Sequence, residues 1–140
     1  KKVATESLQV GLSGYPATDI KAIIKAIELE DDNINELAYK MATSIAIKEG
    51  LKSAETVLLE PIFDVEITTT EEYLGEIIAD LGSRHGRVEQ INQIGMLQEI
   101  KAMVPLSEMF GYVTSLRSLT QGRASYSMTF SHYEPTYNKN

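Results

Sequence analysis

The chain has no cysteine and no tryptophan. Without cysteine there is no disulfide and no thiolate metal site, a composition that fits a reducing, cytoplasmic setting. No apolar run approaches the roughly 20 residues that a membrane-spanning helix needs, so no membrane partner is expected. The opening Lys1-Lys2-Val3-Ala4-Thr5-Glu6 lacks the apolar core of a secretory signal. Histidine is scarce: His85 and His132 are the only two, and neither stands in a metal-binding spacing. The G-x-x-x-x-G-K-[ST] run whose backbone N–H groups cradle nucleotide phosphates is missing, as are G-x-G-x-x-G and G-x-S-x-G. No catalytic residue, cofactor site or metal site is therefore expected within this chain.

Positive charge is also short. The net charge is −7, which argues against coating nucleic acid through bulk attraction. A local contact depends instead on where the cations sit. Residues 1–60 carry seven lysines against ten carboxylates, and residues 61–140 carry six cations against ten. All four arginines, Arg84, Arg87, Arg117 and Arg123, fall in the second half.

What is present divides at Leu58-Leu59-Glu60-Pro61, where the pattern turns from helical to alternating and Pro61 disfavours helix at Glu60. Before it, Val3–Val10 suits a helix stopped by Gly11 and Gly14. The isoleucine-rich run from Asp19 to Leu29 reads as a strand. Asn33–Lys52 reads as the longest helix, opened by an Asn33-x-x-Glu36 capping box. Leu37, Met41 and Ile45 would form its buried stripe, with Ala38, Ala42 and Ala46 beside it allowing close approach to a sheet.

After the boundary, Phe63, Val65 and Ile67 alternate with Asp64 and Glu66 as a half-buried strand. Thr69-x-x-Glu72 is a second capping box, leading into a helix with Leu74, Ile77, Ile78 and Leu81 on one face. Arg87–Gln93 reads as a strand with a bulge, because Val88 and Ile91 break alternation. Gly95 marks a turn, and Ile100, Ala102 and Val104 make a third strand, ended by Pro105. Leu106, Met109, Phe110, Val113 and Leu116 predict a second helix face. After the turn at Thr120-Gln121-Gly122, Ala124, Tyr126, Met128 and Phe130 alternate as a fourth strand. Strand-helix-strand-strand-helix-strand is the split βαβ, ferredoxin-like order, an α+β sandwich.

Two clusters stand out for function. Arg84, His85 and Arg87 lie where the first helix of this half ends. They suit either phosphate contact or complementarity to the helix dipole. Arg117 and Arg123 bracket the turn containing Gln121, and guanidinium groups there suit either RNA backbone or solvent. Tyr126 and Phe130 suit core packing better than base stacking, since they share a face with Ala124 and Met128. Glu28, Glu30, Asp31 and Asp32 form an acidic run ahead of the long helix, ordinary at a helix N-terminus.

Four segments carry a resemblance. They are Leu59-Glu60-Pro61-Ile62, Gly75-Glu76-Ile77-Ile78-Ala79-Asp80-Leu81, Val104 to Tyr112, and Leu116-Arg117-Ser118-Leu119-Thr120-Gln121-Gly122-Arg123. In this order the chain resembles the C-terminal portion of the elongation factor G family. Leu12–Lys21 and Glu36–Lys40 are similar to the later part of the preceding domain in that family.

The resemblance implies that residues 60–140 form the C-terminal ferredoxin-like domain. Residues 1–59 would be part of the tip domain, a βαβ-type α+β unit with a left-handed crossover, here without its first strands. The domain that binds GTP and magnesium would lie upstream, outside this chain, and would be a partner of it. The other implied partners are the ribosome, through ribosomal RNA and stalk-base proteins, and the implied role is translocation. Arg84, Arg87, Arg117, Gln121 and Arg123 become candidate RNA contacts, and Glu28, Glu30 and Asp31 candidate tip-loop residues. One departure is that family members usually carry a histidine-containing run before the helix that starts near Glu36. Here that histidine position falls on Glu30, which suggests a divergent paralogue acting in ribosome recycling. Outside the resemblance, a free-standing ferredoxin-like regulatory module and a small hydrolase on the same fold remain as other readings.

Overall fold

A strand that sends Val65, Ile67 and Thr69 to one side and Asp64, Glu66 and Thr68 to the other can bury only one of its faces under helices. That division organises the larger of two units, in a computed structural model that describes residues 1–28 and 35–136. The units are Lys1–Thr56 and Val57–Asn140.

The first unit holds helix α1 (Lys2–Val10) and helix α2 (Glu36–Ser53), which pack against each other. Three expectations change here. Residues 19–28, read as most of a strand, form no strand. An extended run with no neighbouring strand leaves its N–H and C=O groups to water, so isoleucine content alone does not make it a strand. The cap of α2 is Asn35, whose side chain accepts a hydrogen bond from the Leu37 N–H at 3.0 Å. The cap thus falls two residues after the expected Asn33, which lies outside the described residues. Leu37, Met41 and Ile45 are exposed, at 64%, 58% and 54%. The better-covered side of α2 is Tyr39, Thr43, Ile47 and Leu51, because no described strand lies on the isoleucine-leucine stripe.

The second unit is the ferredoxin-like sandwich. Its strands are β1 (Leu59–Thr70), β2 (Arg87–Ile94), β3 (Leu97–Pro105) and β4 (Ser125–Pro135). They lie side by side as β2-β3-β1-β4, every neighbouring pair antiparallel. Helices α3 (Leu74–Ser83) and α4 (Tyr112–Thr120) make the two crossovers. Between them and the sheet lies the core, including Val65, Ile67, Ile77, Leu81, Ile100 and Tyr112. Each such side chain contributes about 1.5–3 kcal/mol by leaving water. Burial also pushes the Tyr112 phenol far above its ordinary pKa, with nearby Asp80 adding to the shift.

Pro61 sits inside β1, not at a boundary. It faces Tyr133 of β4, and pairing with β3 starts only at Ile62 and Pro105. Its missing N–H thus falls where β1 has a neighbour on one side only. The bulge expected in β2 is present, between Val88 and Gln90. A second occurs in β4 opposite Ile62 and Phe63.

Two further expectations are corrected. Thr69 does not cap α3. It is a fully buried strand residue, and Thr70 instead hydrogen-bonds Glu72, donating from Oγ1 to Oε1 at 3.1 Å. Phe110 and Val113 are exposed at 78% and 45%, while Tyr112 is buried. Gly111 is the cause: its φ of +74° interrupts the helix between Met109 and Tyr112, so the periodicity restarts one residue out of step. Phe130 is only half covered, and stacks edge-on against Phe63 at 6.0 Å between centroids.

The Thr69 hydroxyl, although fully buried, makes no hydrogen bond among the described residues. An orphaned buried hydroxyl costs about 1–3 kcal/mol. Thr69→Val keeps the shape and removes the orphan, so it is expected to raise stability by about 1 kcal/mol, read as a higher urea midpoint at unchanged slope.

Candidate nucleic-acid interface

The turn between α4 and β4 is built to be rigid. Thr120, the last helical residue, is buried and donates its hydroxyl to the Leu116 carbonyl at 2.7 Å. Gln121 takes the left-handed conformation at φ 51°, ψ 33°, and its N–H caps the Arg117 carbonyl. Gly122, at φ 76°, donates to the same carbonyl at 3.0 Å, and the Arg123 N–H donates to the Thr120 carbonyl at 2.9 Å. Four consecutive residues are thereby fixed while Arg117, Gln121 and Arg123 remain exposed.

The two guanidinium groups differ. Arg123 forms an ion pair with Glu72 at 3.3 Å, both side chains more than half exposed. In such a geometry the pair is screened by water and easily exchanged. Arg117 makes no ion pair among the described residues. Its position in the last turn of α4 suits the helix dipole, and no hydrogen bond from its guanidinium to a described residue is present.

The other cluster is split. Arg84 turns inward: its side chain is 15% exposed and its guanidinium donates to Asp80, Glu108 and Ser115. Arg87 points the other way, to the open face of the sheet, and meets Glu134 at 3.0 Å. Glu134 also accepts from His132 at 2.8 Å. These bonds, to His132 first and Arg87 second, hold the Glu134 carboxyl below the ordinary carboxylate range. His85, at φ 56°, approaches Glu108 at 3.5 Å. The structure therefore brings Arg117, Gln121 and Arg123 together. It separates them from Arg84, which has a packing role, and from Arg87, which belongs to a cluster spanning the sheet. Glu28 is exposed, and Glu30 and Asp31 lie outside the described residues.

The His132–Glu134 contact was open to sequence reading, because residues two apart on a strand share a face. Arg84's partners were not, since two of the three lie 24 and 31 residues away. Among the described residues no group of three or more His, Asp and Glu side chains could hold a metal ion, and no helix is long and apolar enough to cross a membrane.

Residues 57–140 match the family model described as "Elongation factor G C-terminus". This chain belongs to that family. It is 52% identical over 130 residues to elongation factor G of Fervidobacterium nodosum and 55% identical over 123 residues to that of Thermotoga neapolitana. These matches cover 92% and 88% of the chain but only 19% and 18% of the relatives, so the chain spans about a fifth of their length. A crystal structure from Thermus thermophilus superposes with a TM-score of 0.82 at 33% identity, over 98% of this chain and 21% of that one. The elongation factor G resemblance expected from the four sequence segments and the ferredoxin-like α+β fold expected from the order of strands and helices are both supported by these matches.

Proposed function

We propose that this chain is the ribosome-docking C-terminal portion of an elongation factor G-type GTPase that acts in translocation during protein synthesis. The observation that carries the reading is the fixed, exposed turn that presents Arg117, Gln121 and Arg123 in a chain of this family. Residues 57–140 are the docking domain and the preceding residues part of the tip domain. GTP and magnesium belong to the upstream domain of the longer cytoplasmic factor, and hydrolysis there reorients the domains carried by this chain. Its own residues do no chemistry. They supply position and charge, with guanidinium donors suited to the phosphates of ribosomal RNA and protein contacts at the stalk base.

Glu30, at the position where family members usually carry a histidine, favours a second reading, a paralogue specialised for ribosome recycling. Reconstituted assays of both steps with the full-length factor separate the two.

The docking test uses the full-length factor with ribosomes and a non-hydrolysable GTP analogue. Arg117→Ala/Arg123→Ala is expected to weaken binding by at least about 10- to 100-fold at fixed salt, the effect of losing a single hydrogen bond to a charged group worth about 1.5–3 kcal/mol. It should also flatten the salt dependence of log K by roughly 0.7–0.9 for each phosphate that the variant no longer neutralises. Unchanged affinity and slope would return both arginines to solvated surface. Failure of the native factor to bind would leave only common ancestry.

A further inference from the structure

Arg84 ties together α3, α4 and the 3-10 turn between β3 and α4. Its Nε donates to Asp80 Oδ2 at 2.9 Å within the last turn of α3. Its Nη1 donates to the Glu108 carbonyl at 2.6 Å, on the 3-10 turn that precedes α4. Its Nη2 donates to Ser115 Oγ at 2.9 Å, on α4 itself. The guanidinium also lies over the Tyr112 ring, 5.0 Å from its centroid.

The backbone is pinned as firmly as the side chain. The Arg84 N–H donates to the Asp80 carbonyl at 3.2 Å, and the Gly86 N–H returns to the Leu81 carbonyl at 2.8 Å. By contrast, α4 begins at Tyr112 behind an N-cap glycine, Gly111, which has no side chain to cap it. Tyr112, Leu116 and Thr120 fix the face that α4 lays on the sheet. Apolar contacts are non-directional, so they set its height above the sheet better than its tilt or slide relative to α3. The three directional bonds of Arg84 supply that missing restraint. At its other end, α4 carries the turn with Arg117, Gln121 and Arg123.

Building on the docking reading above, we propose that Arg84 is a positioning residue for the ribosome contact: it aims the α4–β4 turn without touching RNA. Lysine cannot replace it, because an ammonium on a flexible stem lacks the planar fork that reaches three acceptors and stacks on a ring.

The test compares the native full-length factor with Arg84→Met, Arg84→Lys, Arg117→Ala/Arg123→Ala and the Arg84→Met triple combination. Ribosome affinity is measured at fixed salt, below the unfolding temperature of each variant. Arg84→Met is expected to lose about tenfold in affinity, within the range of couplings between residues that share a network. Arg84→Lys should stay near Arg84→Met, and the triple variant should bind no more weakly than the Arg117→Ala/Arg123→Ala variant. Native-like binding by Arg84→Met overturns the proposal and leaves the docking reading intact, provided the arginine pair still matters. Full restoration by lysine, or multiplying losses in the triple variant, also overturns it, because Arg84 would then act through charge or through its own contact. If the arginine pair has no effect, both arginines return to solvated surface and the aiming role falls with them; if the native factor does not bind, the docking reading itself fails. Should Arg84→Met not fold, Ser115→Ala removes one acceptor from α4 alone. It should give a smaller loss, of about threefold, that again vanishes in the Arg117→Ala/Arg123→Ala background; an additive loss counts against the proposal.

Discussion

Ile67→Ala is expected to destabilise the sheet-containing unit by about 2–5 kcal/mol, the range for removing a large aliphatic side chain from a packed core. Ile67 has no exposed surface and sits on β1, between Ile100 of β3 and Tyr126 of β4. It belongs to the same buried cluster as Ile77 and Leu81 of α3. Both neighbouring strands are hydrogen-bonded through β1, so the sheet cannot close around the void without breaking register. Most of the lost volume therefore stays empty, which places the cost toward the upper part of the range. The measurement is urea unfolding followed by far-ultraviolet circular dichroism on the transition that removes sheet signal. Ile23→Ala is the control: Ile23 is 65% exposed, and such a position changes stability by no more than about 0.5 kcal/mol. A loss below about 1 kcal/mol for Ile67→Ala would mean that the core is centred elsewhere.

The same residue shows why the sandwich was readable in advance. Alternation fixes the burial of a strand residue two positions at a time. Phe63, Val65 and Ile67, then Ile100, Ala102 and Val104, reveal both central strands and the face they bury. Helix periodicity is less forgiving. Leu74, Ile77 and Leu81 were legible because α3 runs unbroken, while Phe110 and Val113 misled because Gly111, at φ 74°, shifts the phase. The isoleucines of 19–28 misled for another reason: strand propensity acts only where there is a neighbouring strand to pair with. At the candidate interface, Arg117, Gln121 and Arg123 are close in sequence and share one turn, so local sequence was enough. Arg84 and Arg87 looked equivalent because they are near each other in the chain. Their difference lies in distant partners, Glu108 and Ser115 for one and Glu134 for the other, which only the tertiary fold brings near.

Gly86→Ala is expected to be the second large effect, opposite in sign to alanine at Gly75. A Cβ at Gly86 would lie 2.8 Å from the Leu81 carbonyl oxygen and 3.1 Å from Val104 Cγ2. Neither neighbour can swing aside, since one is backbone and the other is a fully buried side chain. Forced overpacking of this kind costs about 1–3 kcal/mol. The Leu81 carbonyl is also the acceptor of the Gly86 N–H, so relieving the clash strains the hydrogen bond that ends α3. A Cβ at Gly75, by contrast, meets nothing within 4 Å. There alanine improves an exposed helical position and is expected to stabilise by about 0.5–1 kcal/mol. Urea midpoints of the two variants, measured side by side, check the sign difference directly. Equal shifts would show that Gly86 is not crowded. The consequence reaches the interface because Arg84 stands two residues before Gly86, at the C-cap of α3. Moving that cap moves the fork that ties α3 to α4. In the full-length factor, Gly86→Ala should therefore weaken ribosome binding under conditions where it is fully folded, while Gly75→Ala leaves binding unchanged. Native affinity in a folded Gly86→Ala factor would separate the stability of the α3 end from the aim of the arginine turn.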